Sequence, residues 1–373
     1  MRVIISGGGT GGHIYPALTI ARAIKEIEPA DILFVGTRQG LEADIVPKEG
    51  FAFATVDAGG LERRLTLANL RALWRTFAGL FEAYGVIRRF RPDIVIGTGG
   101  YVCGPVLLTA SLLGIPALIQ EQNVIPGVTN RLLARFVAKI AVGYPEAANN
   151  FGANRDKVVV TGNPVRREVL TATRAEGVAA LGLDPGRLTL LIAGGSRGAR
   201  SINTAMADVH ARFAGRDGIQ ILHATGSAEY NNIVGLLQER GIDPAKTGNI
   251  SIVPYLYNMP QALAAADLAV FRAGAVGLAE LTARGIPAVL VPYPYAAENH
   301  QEFNARVLEN SGAALVIRDA ELSGARLADT LEALLGDADK LRAMAAASKG
   351  LGRPEAADVI ARLAIEIAAG RQT

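Results

Sequence analysis

The chain has 373 residues and a formal net charge of +3, with half of its residues hydrophobic and a fifth charged. This length and composition predict a folded protein of about two domains and argue against disorder, and the small net charge excludes a nucleic-acid binder driven by overall charge. Cys103 is the single cysteine, which rules out an intrachain disulfide and is typical of a reducing, cytoplasmic setting.

In chain order, the first half alternates short β-branched runs with helical stretches. The runs carry few charges, as expected for parallel strands covered on both faces. Strands are predicted at residues 3–6, 32–35, 94–96, 117–119, 140–142 and 158–161, with helices between them, including residues 16–27 and 129–138.

The second half repeats this pattern. Its predicted strands are residues 188–193, 219–223, 250–253, 268–271, 288–291 and 314–317. The first strand of each half runs into a glycine cluster, GGGTGGH at residues 7–13 and GGSRG at residues 194–198. This duplication predicts an α/β protein of two Rossmann-like, doubly wound parallel-sheet domains facing a cleft. We place the domains at residues 1–163 and 164–350, with a last helix at about 354–369 packing back on the first domain.

No signal peptide or transmembrane helix is expected. The apolar run at the N-terminus is short and leads directly into glycines. The longest uncharged stretch, residues 94–120, has the length of a membrane span, but glycines and prolines interrupt it repeatedly. We therefore interpret it as strand, turn, helix and strand.

The first glycine cluster is a candidate ligand site. Glycines after a strand allow close approach of a ligand, and the following helix N-terminus favours a phosphate or a developing anion. His13 at its end is able to act as a general base near neutral pH. The alternatives are a tight turn without ligand and a histidine that only bonds to backbone. A dinucleotide site is disfavoured, because Gly36, Thr37 and Arg38 stand where an acidic residue is expected after the second strand.

Further polar residues follow predicted strands in both halves. Ser196 and the N–H groups of the second glycine cluster could hold a diphosphate. Glu280, on a helix after a glycine-rich approach, could accept hydroxyl protons of a ribose, although a lone helix glutamate is usually only solvated. His300 and Gln301 belong to a polar cluster with amides suited to sugar hydroxyls.

Eight motifs in this order match one known family. The chain resembles the MurG family, N-acetylglucosaminyltransferases that make lipid II in peptidoglycan synthesis. The matches span about residues 6–305 and comprise GGGTGGHIYPA, GTGGYVCGP, EQNVIPGVTN, GNPVR, GGSRGARSIN, PYLYNMPQALAAAD, RAGAVGLAEL and NHQEFNA. The resemblance implies a two-domain glycosyltransferase of the GT-B fold. It implies UDP-N-acetylglucosamine as donor and lipid I, the undecaprenyl-diphosphate-linked muramyl pentapeptide, as acceptor.

The resemblance also implies roles for matching residues. His13 would be the catalytic base, and Tyr101 and Asn130 would contact the acceptor. Glu280 would bind the ribose hydroxyls. The donor-binding set as a whole is Thr10, Gly11, Gly12, Asn123, Arg166, Ser196, Leu256, Ala275, Val276, Gly277, Leu278, Ala279, Glu280, His300 and Gln301. Two positions depart from the family pattern: Cys103 replaces a usual serine, and Ala279 replaces a common hydroxyl residue.

The family inverts the anomeric centre, which implies one in-line displacement by the acceptor C4 hydroxyl. Helix N-termini and loop N–H groups would stabilise the departing diphosphate. We expect no metal and no cofactor. The string Asp337-Ala338-Asp339 is interpreted as a helix cap rather than a metal site.

A basic, amphipathic segment points to a membrane surface. Residues 61–91 contain seven arginines and two glutamates, with apolar residues at helical spacing. We expect peripheral binding to the anionic cytoplasmic face of the cell (inner) membrane, although most such apolar stripes only face a core. The membrane residues would be Leu70, Arg71, Leu73, Trp74, Arg75 and Phe77. Cell-wall synthesis and division proteins are candidate partners, and nucleic acid is not.

Other functions stay open at this point. Another two-lobed glycosyltransferase, such as a diacylglycerol glycosyltransferase, would share much of this pattern. An epimerase or a nucleotide-sugar-binding module belongs to a different class. A dehydrogenase is the least favoured, for want of the acidic residue after the second strand.

Overall fold

The computed structural model describes residues 1–59, 67–195 and 198–370, with residues 67–76 described as helical backbone only. The chain divides into two compact units, Met1–Val165 with Arg353–Thr373, and Arg166–Gly352. Each transition lies two residues after the position predicted from the sequence, 163 and 350.

The described part of the first unit contains a seven-stranded sheet in which every pair of neighbours is parallel. Its strands are β1 (Arg2–Ser6), β2 (Asp31–Gly36), β3 (Ala52–Thr55), β4 (Ile94–Gly97), β5 (Ala117–Glu121), β6 (Lys139–Val142) and β7 (Val158–Val160). The strands lie in the order β3-β2-β1-β4-β5-β6-β7. The order reverses beside β1, so the crevice where doubly wound sheets bind ligands lies at the carboxyl ends of β1 and β4.

The second unit repeats this arrangement with six parallel strands in its described residues. They are β8 (Leu188–Ala193), β9 (Ile219–Ala224), β10 (Ile250–Val253), β11 (Leu268–Phe271), β12 (Ala288–Leu290) and β13 (Ala314–Val316). Their order is β10-β9-β8-β11-β12-β13, which reverses beside β8. In both units, therefore, a glycine cluster follows the strand at the reversal point.

Helices cover both sheets. Those of the first unit that precede residue 165 are α1 (Gly11–Ile27), α2 (Glu42–Lys48), α3 (Leu67–Phe90), α4 (Cys103–Leu112) and α5 (Val128–Leu133). Those of the second unit are α6 (Arg167–Thr171), α7 (Arg174–Leu181), α8 (Arg200–Phe213), α9 (Tyr230–Glu239), α10 (Pro244–Thr247), α11 (Met259–Ala265), α12 (Ala275–Arg284), α13 (His300–Asn310), α14 (Gly324–Leu335) and α15 (Ala338–Leu351). The last helix, α16 (Ala356–Ala369), packs on α1.

Alternate residues of β1 enter different cores. Val3 and Ile5 pack in a cluster with α1 and α16, whereas Ile4 packs in a cluster with residues of α3 and α4. Because successive side chains of a strand point to opposite faces, this sheet is buried on both sides. The continuous apolar runs of the sequence follow from this double burial.

Two sequence predictions were wrong in detail, and one strand was missed. The first helix begins at Gly11 rather than at residue 16, and Pro16 lies inside it. The predicted helix 129–138 ends at Leu133 and continues only as a 3₁₀ turn over Ala134–Phe136. The strand β3 was not predicted, because its short Ala-containing sequence, AFAT, lacks a strong β signal.

The uncharged stretch 94–120 forms β4, α4 and most of β5, which confirms the strand, helix and strand interpretation. None of the helices in the described ranges combines the length and apolar character needed to cross a bilayer.

Candidate active site

The first glycine turn joins β1 to α1 beside the loop that follows β4. Gly9 has a φ of +84°, and Thr10 is the extended residue before the helix. The N–H of Gly8 donates to the carbonyl of Gly99 over 3.3 Å. The hydroxyl of Thr98 donates to the carbonyl of His13 over 2.9 Å. The start of α1 is thus held from the neighbouring loop.

The imidazole of His13 has a defined orientation in this turn. Its Nδ1 lies 2.9 Å from the carbonyl oxygen of Gly8. Because a carbonyl only accepts, Nδ1 carries the proton in the neutral ring and Nε2 keeps its lone pair. Gly99 lies against the ring at a φ of +109°, and a Cβ there would come within 2.8 Å of the His13 Cδ2. Only glycine therefore fits at position 99. In the His13 ring, Nε2 is the atom able to receive a proton.

A buried carboxylate, which the sequence interpretation did not include, lies on the other side of this turn. Glu42, the first residue of α2, accepts from the Gly9 N–H at 3.0 Å, the Thr37 N–H at 2.9 Å and the Thr37 hydroxyl at 2.7 Å. Burial raises the pKa of Glu42, but these hydrogen bonds outweigh it and bring the pKa below its usual range. Glu42 is therefore an ionised, buried part of the turn.

A cavity of about 450 Å³ opens beside the same turn. Tyr101, a predicted acceptor contact, is 60% exposed and lies on its wall. The other lining residues are Gly8, Gly9, Thr37, Arg38, Gln39, Glu42, Thr55, Val56, Asp57, Ala58, Glu82 and Val102. Its lining combines backbone polar groups and Arg38 with the carboxyl groups of Glu42, Asp57 and Glu82, which suits a ligand with hydroxyl groups.

Glu121, at the end of β5, brings two predicted residues together. Its Oε1 accepts from the backbone N–H of Asn123 at 2.9 Å and from its amide at 3.2 Å. Its Oε2 accepts from the Asn130 amide at 2.7 Å. Although Glu121 stands in the EQN motif, its contacts are not predictable from the sequence, because a sequence does not show which of its carboxylates is buried.

Cys103, which replaces a serine of the family pattern, retains a hydrogen-bonding role at the start of α4. Its thiol lies 3.0 Å from the carbonyl of Ser6 and 3.1 Å from that of Gly99. Burial raises the pKa of the thiol to about 11. Cys103 is thus a neutral, structural residue under the first glycine turn.

In the second unit, the first six residues of α12 are the predicted segment Ala275 to Glu280. The helix follows β11 through the cap residue Gly274. Glu280 is almost fully buried, and its Oε1 accepts from Nε of Arg166 over 2.7 Å. Two predicted donor-binding residues, far apart in the sequence, therefore form an ion pair. Ala279 lies beside them on α12, where its carbonyl accepts from the Thr282 hydroxyl.

The second glycine turn lies between β8 and α8. Ser196, predicted to contact the diphosphate, lies outside the described residues. Gly198 has a φ of +76°, and a Cβ there would collide with the Thr225 carbonyl. The amide of Asn203 donates to that same carbonyl over 2.8 Å. The backbone next to the turn is thus fixed from β9 and α8.

Asn203 also forms a hydrogen bond with one of two buried histidines that contact each other. The Asn203 Oδ1 lies 3.0 Å from His223 Nε2, and His223 Nδ1 lies 3.0 Å from His210 Nε2. Since the Asn203 oxygen only accepts, both rings carry their protons on Nε2. Burial lowers the pKa of His210 to about 4, and burial together with the His210 charge lowers the pKa of His223 well below its usual value.

The remaining predicted donor residues lie after β10 and β12. Leu256 is buried in the loop after β10. His300 and Gln301 are the first residues of α13, behind Asn299 at a φ of +54°. His300 Nδ1 donates to the Ala297 carbonyl at 2.8 Å, and the Gln301 Oε1 accepts from the Tyr293 N–H at 2.9 Å.

Arg272, another residue that the sequence interpretation missed, ties these loops together. Its guanidinium donates to the carbonyls of Val291 and Pro292, each at 3.1 Å, and to Ser201 on α8 at 2.8 Å. It also pairs with Asp319 at 2.6 Å. Arg272 connects the start of α8 with the loop before α13.

The Asp337-Ala338-Asp339 string forms a helix start, as predicted. Asp337 accepts from the Lys340 N–H at 2.9 Å and caps α15, and Asp339 pairs with Arg342. In the ranges that the structure describes, no group of three or more His, Cys, Asp or Glu side chains is arranged to hold a metal ion.

Of the predicted membrane residues, only the Phe77 side chain is described. Leu70, Arg71, Leu73, Trp74 and Arg75 lie where only the helical backbone of α3 is described. Phe77 is 53% exposed and Phe81 is 68% exposed, with their rings in edge contact.

Comparisons with known proteins agree with this geometry. Residues 3–142 match the glycosyltransferase family 28 N-terminal domain, and residues 189–360 match the family 28 C-terminal domain. The chain is 51% identical to the UDP-N-acetylglucosamine--N-acetylmuramyl-(pentapeptide) pyrophosphoryl-undecaprenol N-acetylglucosamine transferase of Desulforamulus reducens, over 96% of this chain and 97% of that one. It is 52% identical to the protein of the same name from Moorella thermoacetica, over 98% of this chain and 99% of that one.

A solved structure supports the same assignment. The crystal structure of Acinetobacter baumannii MurG superposes with a TM-score of 0.78 at 26% identity, covering 98% of this chain and 99% of that one. With two parallel-sheet units and both family 28 domains present, the chain belongs to the MurG family of glycosyltransferases.

Proposed function

We propose that the chain transfers N-acetylglucosamine from UDP-N-acetylglucosamine to the C4 hydroxyl of lipid I, forming lipid II with inversion at the anomeric carbon. The observation that carries this proposal is the 51% identity, over 96% of the chain, to a transferase named for these substrates. The site geometry supports it through one base and two sets of candidate ligand residues.

His13 is the proposed base. As the C4 oxygen of the acceptor bonds to C1 of the donor sugar, the bond from C1 to the diphosphate oxygen breaks and UDP leaves. The hydroxyl proton passes to Nε2 of His13. The Nδ1 contact to Gly8 supports this role, because it leaves Nε2 with the lone pair. A positioned base contributes on the order of 10²- to 10⁴-fold.

The proposed donor residues divide by the part of the donor that they contact. Glu280 would accept hydrogen bonds from the ribose hydroxyls, and Arg166 and Ser196 would contact the diphosphate. The segment 275–280 offers the N-terminus of α12, where N–H groups and the helix dipole favour an anion. Leu256 would lie at the uracil. The sugar contacts would be Thr10, Gly11, Gly12, Asn123, His300 and Gln301.

The acceptor is proposed to bind beside the first glycine turn. Tyr101, on the cavity wall, is one candidate contact. Asn130, the other, is buried outside the cavity lining and donates to Glu121. The cavity size suits a sugar, and its wall includes backbone of Gly8 and Gly9 from the turn that holds His13.

Peripheral attachment to the anionic cytoplasmic face of the membrane is proposed for α3. Phe77, Phe81 and Tyr84 recur at helical spacing and are exposed, whereas Ala83 and Ile87 on the same helix are buried. The guanidinium of Arg88 lies 5.8 Å from the centre of the Tyr84 ring. An exposed apolar stripe with flanking arginines suits the headgroup boundary of an anionic bilayer.

Vesicle sedimentation tests the membrane proposal. We expect the protein to pellet with phosphatidylglycerol vesicles and to do so less with phosphatidylcholine alone. Phe77→Ser with Phe81→Ser is expected to reduce pelleting, whereas Tyr257→Ser, at another exposed aromatic residue, is the matched control. Equal pelleting of both variants would contradict the proposal.

The direct test of function is transfer of labelled N-acetylglucosamine from its UDP form to a lipid I analogue. We expect product, and UDP release, only when the acceptor is present. Transfer to diacylglycerol instead would indicate a different glycosyltransferase. UDP release or sugar conversion without acceptor would indicate an epimerase, and binding without turnover a nucleotide-sugar-binding module.

A further inference from the structure

Glu42 and His13 bond to the two ends of one peptide group. The Glu42 Oε2 accepts from the N–H of Gly9 at 3.0 Å, and His13 Nδ1 donates to the carbonyl of Gly8 at 2.9 Å. These two backbone groups belong to the same peptide bond, which is planar and rigid. The carboxylate, the peptide and the imidazole therefore form a continuous hydrogen-bonded chain.

The surrounding backbone is shaped around the Glu42 carboxyl. A Cβ at Gly8, Gly36 or Gly40 would collide with the Glu42 side chain. Gly36, at the end of β2, and Gly40 lie in the stretch that leads into Glu42, whereas Gly8 comes from the first turn, which meets this stretch only in the folded chain. The carboxyl is completely buried, and its two oxygens accept three hydrogen bonds, one from Gly9 and two from Thr37.

The direction of the hydrogen bonds from His13 through the Gly8–Gly9 peptide to Glu42 matters for proton transfer. A carboxylate that accepts from the peptide N–H polarises the peptide and makes its carbonyl a stronger acceptor. A stronger acceptor holds the proton on Nδ1 more firmly and fixes the ring, so the lone pair remains on Nε2. Gly99 packs against the ring, which restricts its alternative orientations.

We propose that Glu42 is a positioning residue that acts on His13 through the Gly8–Gly9 peptide. Both of its carboxyl oxygens are engaged by Gly9 and Thr37, so its role is to fix the tautomer and the orientation of the base. This inference rests on the proposed function, in which His13 receives the acceptor proton. It adds a buried carboxylate that orients the base through the peptide of the glycine turn.

The test compares Glu42→Gln with Thr37→Val in the full-length enzyme. The glutamine has the same shape, but its amide group must face one of the N–H donors that the carboxylate now accepts. Thr37→Val removes only the hydroxyl bond and keeps the contact to Gly9. We expect Glu42→Gln to lower kcat on the order of 10- to 100-fold, the scale of one or two lost charge-assisted hydrogen bonds, with the donor KM within about 2-fold of the original. Thr37→Val is expected to lower kcat much less.

A spectroscopic measurement without substrate separates this inference from the proposed function. The chain has four histidines, so the ¹⁵N spectrum of histidine-labelled protein contains few signals. The signals that disappear in His13→Gln are those of His13. We expect His13 to be the Nδ1–H tautomer in the original protein and a mixture of tautomers in Glu42→Gln. Absence of lipid II synthesis by the original enzyme would instead reject the proposed function and leave the tautomer result standing.

Three outcomes would overturn the inference. These are an unchanged His13 spectrum in Glu42→Gln, an unchanged kcat, and equal losses in Glu42→Gln and Thr37→Val. Circular dichroism and thermal unfolding check that the variants fold. If Glu42→Gln does not fold, Glu42→Asp, which keeps the charge but shortens the reach to Gly9, is judged by the same spectrum and the same kcat.

Discussion

The Nε of Arg166 lies 2.7 Å from Oε1 of Glu280, although the two residues are 114 positions apart in the chain. Arg166 precedes α6, just after the first unit ends, and Glu280 lies in the second turn of α12. Glu280 is nearly buried, whereas about a quarter of the Arg166 side chain is exposed. The pair holds a carboxylate in place at the start of a helix, so that one carboxyl oxygen is already oriented before a ligand arrives.

Glu280→Gln is expected to raise the KM for UDP-N-acetylglucosamine on the order of 10- to 100-fold, with a smaller change in kcat. The neutral amide accepts more weakly from ribose hydroxyls and loses the charge that orients Arg166. Initial rates over a range of donor concentrations measure this. Glu239→Gln, at an exposed helix glutamate of the same unit, is the matched control. An unchanged KM would remove Glu280 from the donor site.

His13→Gln is expected to lower kcat on the order of 10²- to 10⁴-fold, the usual contribution of a general base. UDP binding, measured by calorimetry, is expected to stay as in the original protein, because the side chain acts on the acceptor proton. If kcat is unchanged, another group is the base.

The buried histidine pair predicts a loss of stability in mild acid. The pKa of His210 is about 4 in the folded protein, against 6.5 for an ordinary histidine, because burial disfavours the charged ring. As the pH falls, the unfolded chain therefore binds a proton at a higher pH than the folded protein does. The full stability is present only above about pH 6.5. For His210 alone, the free energy of unfolding decreases by about 3 kcal/mol as the pH falls towards 4.

Urea unfolding between pH 7 and pH 5 measures this loss, above the range in which most carboxylates titrate. His210→Leu is expected to flatten the pH dependence, whereas His300→Gln, at a histidine that is not buried, is expected to keep it. The same slope in all three proteins would contradict the assignment.

Cys103 is expected to resist alkylation in the native protein. With its pKa raised to about 11 and its side chain buried, it exposes almost no thiolate at neutral pH. Mass spectrometry after iodoacetamide treatment is expected to show labelling only when urea is present. Cys103→Ser is expected to keep activity, since a hydroxyl makes the same contacts to Ser6 and Gly99. Rapid native labelling would show that the thiol is accessible.

Activity is expected to persist in EDTA, because the Asp337 carboxylate is engaged in capping α15 and Asp339 is paired with Arg342. Asparagine caps helices as well as aspartate does, so Asp337→Asn is expected to keep both activity and melting temperature. Asp337→Ala is expected to cost about 1 kcal/mol of stability. A loss of turnover in EDTA that magnesium restores would reject this view.

The sheets were predictable from sequence because every central strand is buried on both faces. Runs such as residues 3–6 and 268–271 therefore contain few polar residues, and their positions agree with β1 and β11. The edge strand β3 carries alanines and a half-buried face, so its sequence lacks that signal. The strand order within each sheet depends on packing between distant segments, and no local pattern shows it.

Candidate site residues can be proposed from the sequence where a motif marks them, but not where contacts between distant segments bring them together. His13 and Glu280 stand in glycine-rich motifs at the carboxyl edge of a sheet. Glu42 lies five residues beyond Thr37, in a stretch that resembles an ordinary helix start, and its role depends on a turn 33 residues away. Gly36, just before Thr37, and Gly40, two residues before Glu42, were the available signal. Arg272 opens the RAGAVGLAEL motif, but the motif does not show its contacts, because its partners come from three separate segments.

The last helix of the chain completes the core of the first unit. Ile360, Ala361 and Ala364 of α16 are fully buried in the same cluster as Val3 and Ile5 of β1. During synthesis, the second unit has all of its residues before α16 emerges from the ribosome, while the first unit still lacks one wall of its core. The half of the protein that is made first is therefore expected to finish folding last, and a nascent chain stopped near residue 352 should expose apolar surface on α1 that chaperones can bind.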